Sequence, residues 1–294
     1  MLGLLVVLVV GAGLLASGAS TASPLFSRWL PIVNGIFGLW SIVITLLMLS
    51  RVERFGFWRT MVSYWAGGLL LSALLTLFIR TILFQPFNTP SGSMAPTLLS
   101  GDYFFVSKYA YGYSHYSLPF SPPLFSGRIF GSEPARGDVV AFRLPKDGAT
   151  DYVKRLVGWP GDRIQMKEGL LYINGAPVMR ERLADFVATD LCGPSTARVK
   201  RWRETLPNGK SYETLDCVDN GFYDNTDVYA VPAGHFFVLG DNRDNSTDSR
   251  VLSAMGYVPF ENLIGRVGLI FFSRTSGPGG VAANRPERFG LTVR

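Results

Sequence analysis

The chain opens with three long apolar runs and then changes texture. Met1–Ser27, Trp29–Ser50 and Thr60–Ile79 contain no charged side chain, and each is long enough for the roughly 20 residues that cross a bilayer as a helix. A helix buried in a soluble core rarely stays uncharged all round for five turns. The pattern therefore predicts a membrane anchor over residues 1–80 with about three transmembrane helices, at about 2–20, 30–50 and 60–80. The first run has a second reading, a cleaved secretory signal, because "LLASGAS" is rich in small residues. It lacks the Lys/Arg start that such a signal carries, which favours a retained span.

From about residue 81 the pattern shortens to β-rich runs broken by Gly, Pro, Asn and Asp, among them "DYFFVSKYAYG", "GDVVAFRLP", "DYVKRLVGWPGD", "HFFVLGD" and "LIGRVGLIFFS". Runs of this length and punctuation read as strands. Asn174-Gly175, flanked by apolar residues in "LLYINGAPV", predicts a hairpin turn. Residues 165–232 hold many charges and weak periodicity and read as a less regular subdomain inserted into a main sheet. Residues 275–294 read as a loose tail. The expected fold is thus membrane-anchored and mainly β: transmembrane helices, then an all-β domain over 81–294 with a smaller inserted β subdomain.

Charge sets orientation. The loop "RVERFGFWR" carries Arg51, Arg54 and Arg59 against Glu53, whereas Arg28 is the only charge near residues 19–29. Cytoplasmic loops collect Lys and Arg, so the third span runs outward and residues beyond 80 lie on the far side. Arg80 at that end opposes the rule and is placed by snorkelling to the interface.

Composition adds exclusions. With 48% hydrophobic and 17% charged residues and a mean hydropathy of +0.22, a wholly soluble chain is disfavoured. The net charge of +6 comes without a basic run or a zinc or nucleotide signature, so no nucleic-acid partner is expected; a basic surface facing anionic lipid accounts for it. Cys192 and Cys217 are the only cysteines. In an exported domain such a pair suggests a disulfide, and a metal site would need more ligands. No metal or cofactor is expected.

"PSGSMAPTLLSGD" presents Ser91 and Ser93 between Pro90 and Pro96. A serine hydroxyl is a weak nucleophile until a base accepts its proton. The chain has two histidines, His115 and His235, both in settings that read as packing, and no G-x-S-x-G elbow surrounds Ser93. Lysine is the other available base. Lys154 lies in the apolar strand pattern "DYVKRLVGWPGD", and burial lowers a lysine pKa; the alternative is that Lys154 or Arg155 simply faces solvent. The polar run "GDNRDNSTDSR" does not match a calcium loop. It reads either as an Asx-rich turn or as an Asp–Arg network holding a loop beside a site.

Four of these stretches in order, "PSGSMAPTL", "RGDVVAF", "DYVKRLVGWPGD" and "GDNRDNSTDSR", resemble the boxes of the bacterial type I signal peptidases (leader peptidases), membrane-bound Ser/Lys serine proteases. The resemblance covers roughly residues 80–270. It implies a β-barrel-like catalytic core, Ser93 as nucleophile, Lys154 as general base and Ser91 as an oxyanion-hole donor. It further implies that Ser246 orients the Lys154 amine, that Asp248 and Arg250 form an ion pair supporting that loop, and that Phe87, Thr89, Pro90, Tyr152 and Val153 line the substrate cleft. The implied partners are the signal peptides of exported preproteins and the lipid bilayer, for a monomer in the bacterial inner membrane, multi-pass, with its catalytic domain on the periplasmic face. The extra N-terminal apolar run departs from the common two-span pattern. Two other functions compete: a non-catalytic envelope protein whose β domain binds exported partners, and a related protease specialised for one pilin or conjugation substrate.

Overall fold

The computed structural model describes residues 56–189, 191–193, 196–276 and 282–293, with positions 43 and 47 besides. Apart from those two positions, the first two expected spans lie outside the described residues. The third apolar run forms α1, Phe57–Phe78, a helix of 22 residues. A π turn, Ile79–Leu83, continues it. The stretch Phe57–Leu83 has a mean hydropathy of 1.9 over its most apolar window, none of which is buried. A helix satisfies its own backbone polar groups, and one with apolar side chains on every side suits hydrocarbon. Among the described residues there is one helix long and apolar enough to cross a membrane, starting slightly before the expected 60–80.

The unit from Thr76 onward is mainly antiparallel β. Its first four strands are β1 (Phe84–Asn88), β2 (Asp102–Ser107), β3 (Val139–Arg143) and β4 (Asp151–Gly158). There follow β5 (Arg163–Lys167), β6 (Leu170–Ile173), β7 (Ala176–Pro177), β8 (Met179–Arg182), β9 (Phe186–Thr189), β10 (Thr196–Thr205), β11 (Ser211–Asp216) and β12 (Tyr229–Ala230). The last are β13 (His235–Leu239), β14 (Val258–Pro259), β15 (Leu263–Ser276) and β16 (Ala282–Asn284). The main sheet runs β1-β2-β15-β3-β4-β13-β14, with β16 added to β15, and curls into a half-barrel. β2 alternates in burial, with Asp102, Phe104 and Val106 inside, as a strand with one covered face should. β3, Val-Val-Ala-Phe-Arg, is buried at its first four positions, as an interior strand covered on both faces should be.

Between β4 and β13 the chain makes two small sheets, β12-β5-β6-β7 and β11-β10-β8 with β9 on β10. The turn between β6 and β7 has Asn174 at φ 55° and Gly175 at φ 83°, the left-handed pair that a two-residue hairpin turn requires. This excursion does not keep a separate core. Ile164, Met166, Leu171, Ile173 and Leu206 pack in one buried cluster with Val157 of β4 and with Phe237 and Leu239 of β13. Its charged positions had masked that apolar face.

Within the segment read as a loose tail, residues 282–293 lie against β15. β16 pairs with the end of β15, Arg274 opposite Asn284, and Arg285, Gly290 and Val293 each donate a backbone hydrogen bond to β15, at 2.9, 2.8 and 2.8 Å.

Candidate active site

Strands β1 and β2 are joined by a long loop instead of a tight turn, and that loop carries Ser91 and Ser93. Its stem closes where the Thr89 N–H donates to the Asp102 carbonyl and the Gly101 N–H to the Thr89 carbonyl, both at 2.9 Å. Met94 and Leu98, one helical turn apart, sink into the core cluster with Phe104 and Val106. These apolar anchors leave Ser91 exposed and Ser93 half-buried, and Pro90 and Pro96 reduce the freedom the loop must lose. The Ser93 backbone N–H has no hydrogen-bond acceptor among the described residues.

β4 brings the lysine. Lys154, opposite Val140 of β3, is buried, and its Nζ lies 2.6 Å from Ser93 Oγ across 61 residues of sequence. Burial is the largest influence on the amine and drives its pKa down; Asp248 and Asp241 pull it up, and Arg250 pushes it down again. Desolvation wins, and the pKa falls from an ordinary 10.5 to about 8. Near neutral pH a useful fraction of the amine is therefore uncharged and able to take a hydroxyl proton. Ser91 Oγ donates to Ser93 Oγ at 3.3 Å, so two hydroxyls and one amine stand in a row.

The loop after β13 surrounds this row with buried ion pairs. Arg250 grips Asp248 through Nε and Nη2 at 2.8 and 2.9 Å, and Asp248 also accepts the Gly240 N–H at 3.0 Å. Arg155 holds Asp241 with two bonds of 2.7 Å, while Arg243 meets Glu204 of β10 at 2.5 Å. The Asn242 N–H donates to the Ser93 carbonyl at 3.1 Å, and the Asn242 amide reaches the Gly92 carbonyl at 3.3 Å. Gly240 is required here: a Cβ would lie 2.1 Å from Ser246 Oγ and 2.7 Å from the Ser93 carbonyl oxygen.

Of the residues expected from sequence, Ser91, Ser93 and Lys154 come together, and Asp248 pairs with Arg250. The Ser246 hydroxyl is buried and has no hydrogen-bond partner among the described residues, so no bond to Lys154 is formed in this arrangement. Tyr152 and Val153 precede Lys154 on β4, Phe87 stacks on Phe104 with ring centroids 6.4 Å apart, and Thr89 and Pro90 start the serine loop. Cys192 and Cys217 form a disulfide, with Cα atoms 5.7 Å apart. Both histidines are engaged elsewhere, His115 with Glu261 at 3.0 Å and His235 with the Ala233 carbonyl at 2.9 Å.

Sequence reasoning missed Arg155, Asp241, Gly240 and Asn242. One signal was available: an arginine inside an apolar strand needs a buried acidic partner, since an unpaired buried charge is costly.

A membrane-anchored β domain with a serine held against a buried lysine is the arrangement of a serine peptidase that uses no catalytic histidine. Comparison with known proteins agrees. The family model described as signal peptidase, peptidase S26, matches residues 62–272. The signal peptidase I of Rickettsia conorii is 44% identical over 215 residues, covering 70% of this chain and 78% of that protein. That of Rickettsia typhi is 45% identical over 207 residues, covering 68% and 76%. A crystal structure of a signal peptidase I from Enterococcus faecalis V583 is 26% identical and covers 46% of this chain and 97% of that one, with a TM-score of 0.26, too low to compare the folds. The chain belongs to the signal peptidase family, peptidase S26. Its activity is that of signal peptidase I, a membrane-anchored serine peptidase removing signal peptides from preproteins.

Proposed function

We propose that Ser93 is the nucleophile of this reaction and Lys154 its general base. The observation that carries the reading is the 2.6 Å contact between Ser93 Oγ and a buried Lys154 Nζ. The neutral amine takes the Ser93 proton as Oγ attacks the scissile carbonyl, forming a tetrahedral intermediate. Its oxyanion is met by the free Ser93 N–H and by the Ser91 hydroxyl turned from Ser93; removing one such donor typically costs about 2.7–4 kcal/mol of barrier. The Lys154 ammonium returns the proton to the leaving amine, and the amine then activates water against the acyl-enzyme. Ser246, with an unpartnered hydroxyl, accepts from the ammonium once it forms. The Asp248–Arg250 pair holds the Ser246 loop.

The substrate lies as an added strand. β13 pairs with β4 at Arg155, Leu156 and Gly158, so Asp151–Lys154 are paired only with β3. β1 is the terminal strand of the sheet. With these two open edges beside the serine loop, Phe87, Thr89, Pro90, Tyr152 and Val153 would line the peptide, which carries small residues at the first and third positions before the cut. All the groups named come from one chain, so a monomer suffices. Arg51, Arg54 and Arg59 favour a cytoplasmic start for α1 and the outer face of the bacterial inner membrane for the β domain.

The test is cleavage of a preprotein in detergent by wild type, Ser93→Ala and Lys154→Ala. Both variants should lose essentially all activity. Undiminished cleavage by either would sink the assignment.

A further inference from the structure

The C-terminal segment reaches back to the serine loop. Asp102, fully buried, closes that loop: its Oδ2 accepts the Leu99 N–H at 2.8 Å. The same carboxylate takes Arg288 in a two-pronged contact, Nη2 to Oδ2 at 2.6 Å and Nε to Oδ1 at 3.0 Å, with Ser273 of β15 on Oδ1 at 2.5 Å. Arg288 Nη2 also donates to the Thr97 carbonyl at 2.9 Å. Arg285 Nη2 donates to the Ser100 carbonyl at 2.5 Å and lies 3.5 Å from Asp102. Two arginines from one short segment thus occupy the Thr97 and Ser100 carbonyls and the carboxylate at the end of the loop bearing Ser93. The segment itself is seated by backbone bonds from Arg285, Gly290 and Val293 to β15.

We propose that residues 282–293 act as a clamp on the serine loop, with Arg288 a positioning residue that acts on Ser93 through Asp102 and Thr97. The physical reason is leverage. Met94 and Leu98 anchor the loop from the core side, but the Thr97 and Ser100 carbonyls take no backbone donor among the described residues and are met instead by Arg288 and Arg285. A two-pronged guanidinium on a buried carboxylate is directional as well as strong, so it sets the angle at which the loop enters β2. Displacing reacting atoms by about 1 Å lowers a rate by up to about a hundredfold. The proposal rests on the reading of Ser93 and Lys154 given above.

The experiment uses the full chain in detergent with a preprotein substrate. Arg288→Ala should lower kcat about tenfold while KM stays within about twofold. Loosening the loop also admits water to Lys154, whose charged neighbours are Asp248, Asp241 and Arg250; the acid limb of the kcat profile should move up by about half a pH unit as desolvation weakens. Guanidinium ion at millimolar concentration should restore part of the lost kcat to Arg288→Ala and none to wild type. Asp102→Asn combined with Arg288→Ala should be no slower than the slower single variant, since both break one linkage. An unchanged kcat, an effect on KM alone, an unmoved pH limb, or multiplying effects in the double variant would each overturn the clamp. If Arg288→Ala folds poorly, Arg288→Lys keeps the charge and loses the two-pronged contact; it should show an intermediate kcat with the same pH shift, and wild-type behaviour would overturn the proposal. Ser93→Ala separates the two readings: activity remaining there removes the nucleophile assignment, whereas an inactive Ser93→Ala with a fully active Arg288→Ala removes the clamp alone.

Discussion

Arg155 on β4 and Asp241 in the loop after β13 meet through two hydrogen bonds of 2.7 Å, with side-chain exposures of 0% and 1%. Tyr212 covers the guanidinium face, 4.1 Å from its ring centroid. The pair therefore works in a medium that neither salt nor water screens well. Asp241→Ala takes the carboxylate away from a buried guanidinium and should cost about 3–5 kcal/mol of stability, whereas replacing both residues by apolar ones should recover most of it. Urea unfolding measures the difference. A loss below about 1 kcal/mol would mean that the pair is hydrated as a surface pair is.

As the proposed base, Lys154 should set the pH dependence of cleavage. Burial lowers its pKa to about 8, and only the neutral amine accepts the Ser93 proton. The rate should thus rise about tenfold per pH unit in the acid range and level off above the lysine pKa. Asp241→Asn removes an influence that raises this pKa, so its acid limb should move to lower pH. A profile flat from pH 5 to about 9 would exclude lysine as the base.

The same shift has a consequence for stability. The folded pKa lies below the unfolded one, so between about 8 and 10.5 the unfolded chain binds more protons, and stability rises with pH across that window. Below it the cost of the buried ammonium is fully present. Lys154→Met should therefore stabilise the protein at pH 6–7, on the order of 1–3 kcal/mol, while abolishing activity. Thermal unfolding at pH 6 and at pH 10 gives the comparison: the advantage of the variant should shrink at the higher pH. A destabilised variant at pH 6 would show that the ammonium is well solvated.

Ser246 and Gly240 separate chemistry from packing. The Ser246 hydroxyl has no partner among the described residues, so Ser246→Ala should change stability by less than about 1 kcal/mol yet lower kcat at least about tenfold if it receives the Lys154 ammonium. Wild-type kcat in that variant would remove Ser246 from the reaction. Gly240→Ala instead drives a methyl into Ser246 and the Ser93 carbonyl and should cost about 1–3 kcal/mol together with most of the activity.

How much of this was legible in the chain depends on the range of each signal. The apolar run of α1 was, because crossing hydrocarbon requires about 20 consecutive uncharged residues and no distant partner. So was the Asn174-Gly175 turn, since left-handed backbone is a local demand. The run "GDNRDNSTDSR" announced a network but not its pairing: Arg250 turns to Asp248 within the run, while Arg243 leaves it for Glu204. Charge density hid the buried face of the excursion, and Gly-Pro density hid the seating of residues 282–293 on β15.

By itself, then, the sequence determined the apolar anchor, the β texture, the hairpin and the supply of groups: two serines between prolines, a lysine in an apolar strand, and no histidine suited to serve them. Tertiary structure alone decided which face of β4 holds the lysine. Strand alternation sends Lys154 and Arg155 to opposite sides but does not say which side is covered, and here both are: Lys154 meets Ser93, and Arg155 meets Asp241. It also decided that Asp102 would receive Arg288 across 186 residues. Such contacts are set by sheet register and shared burial, which bring distant segments together and leave no periodic trace in either one.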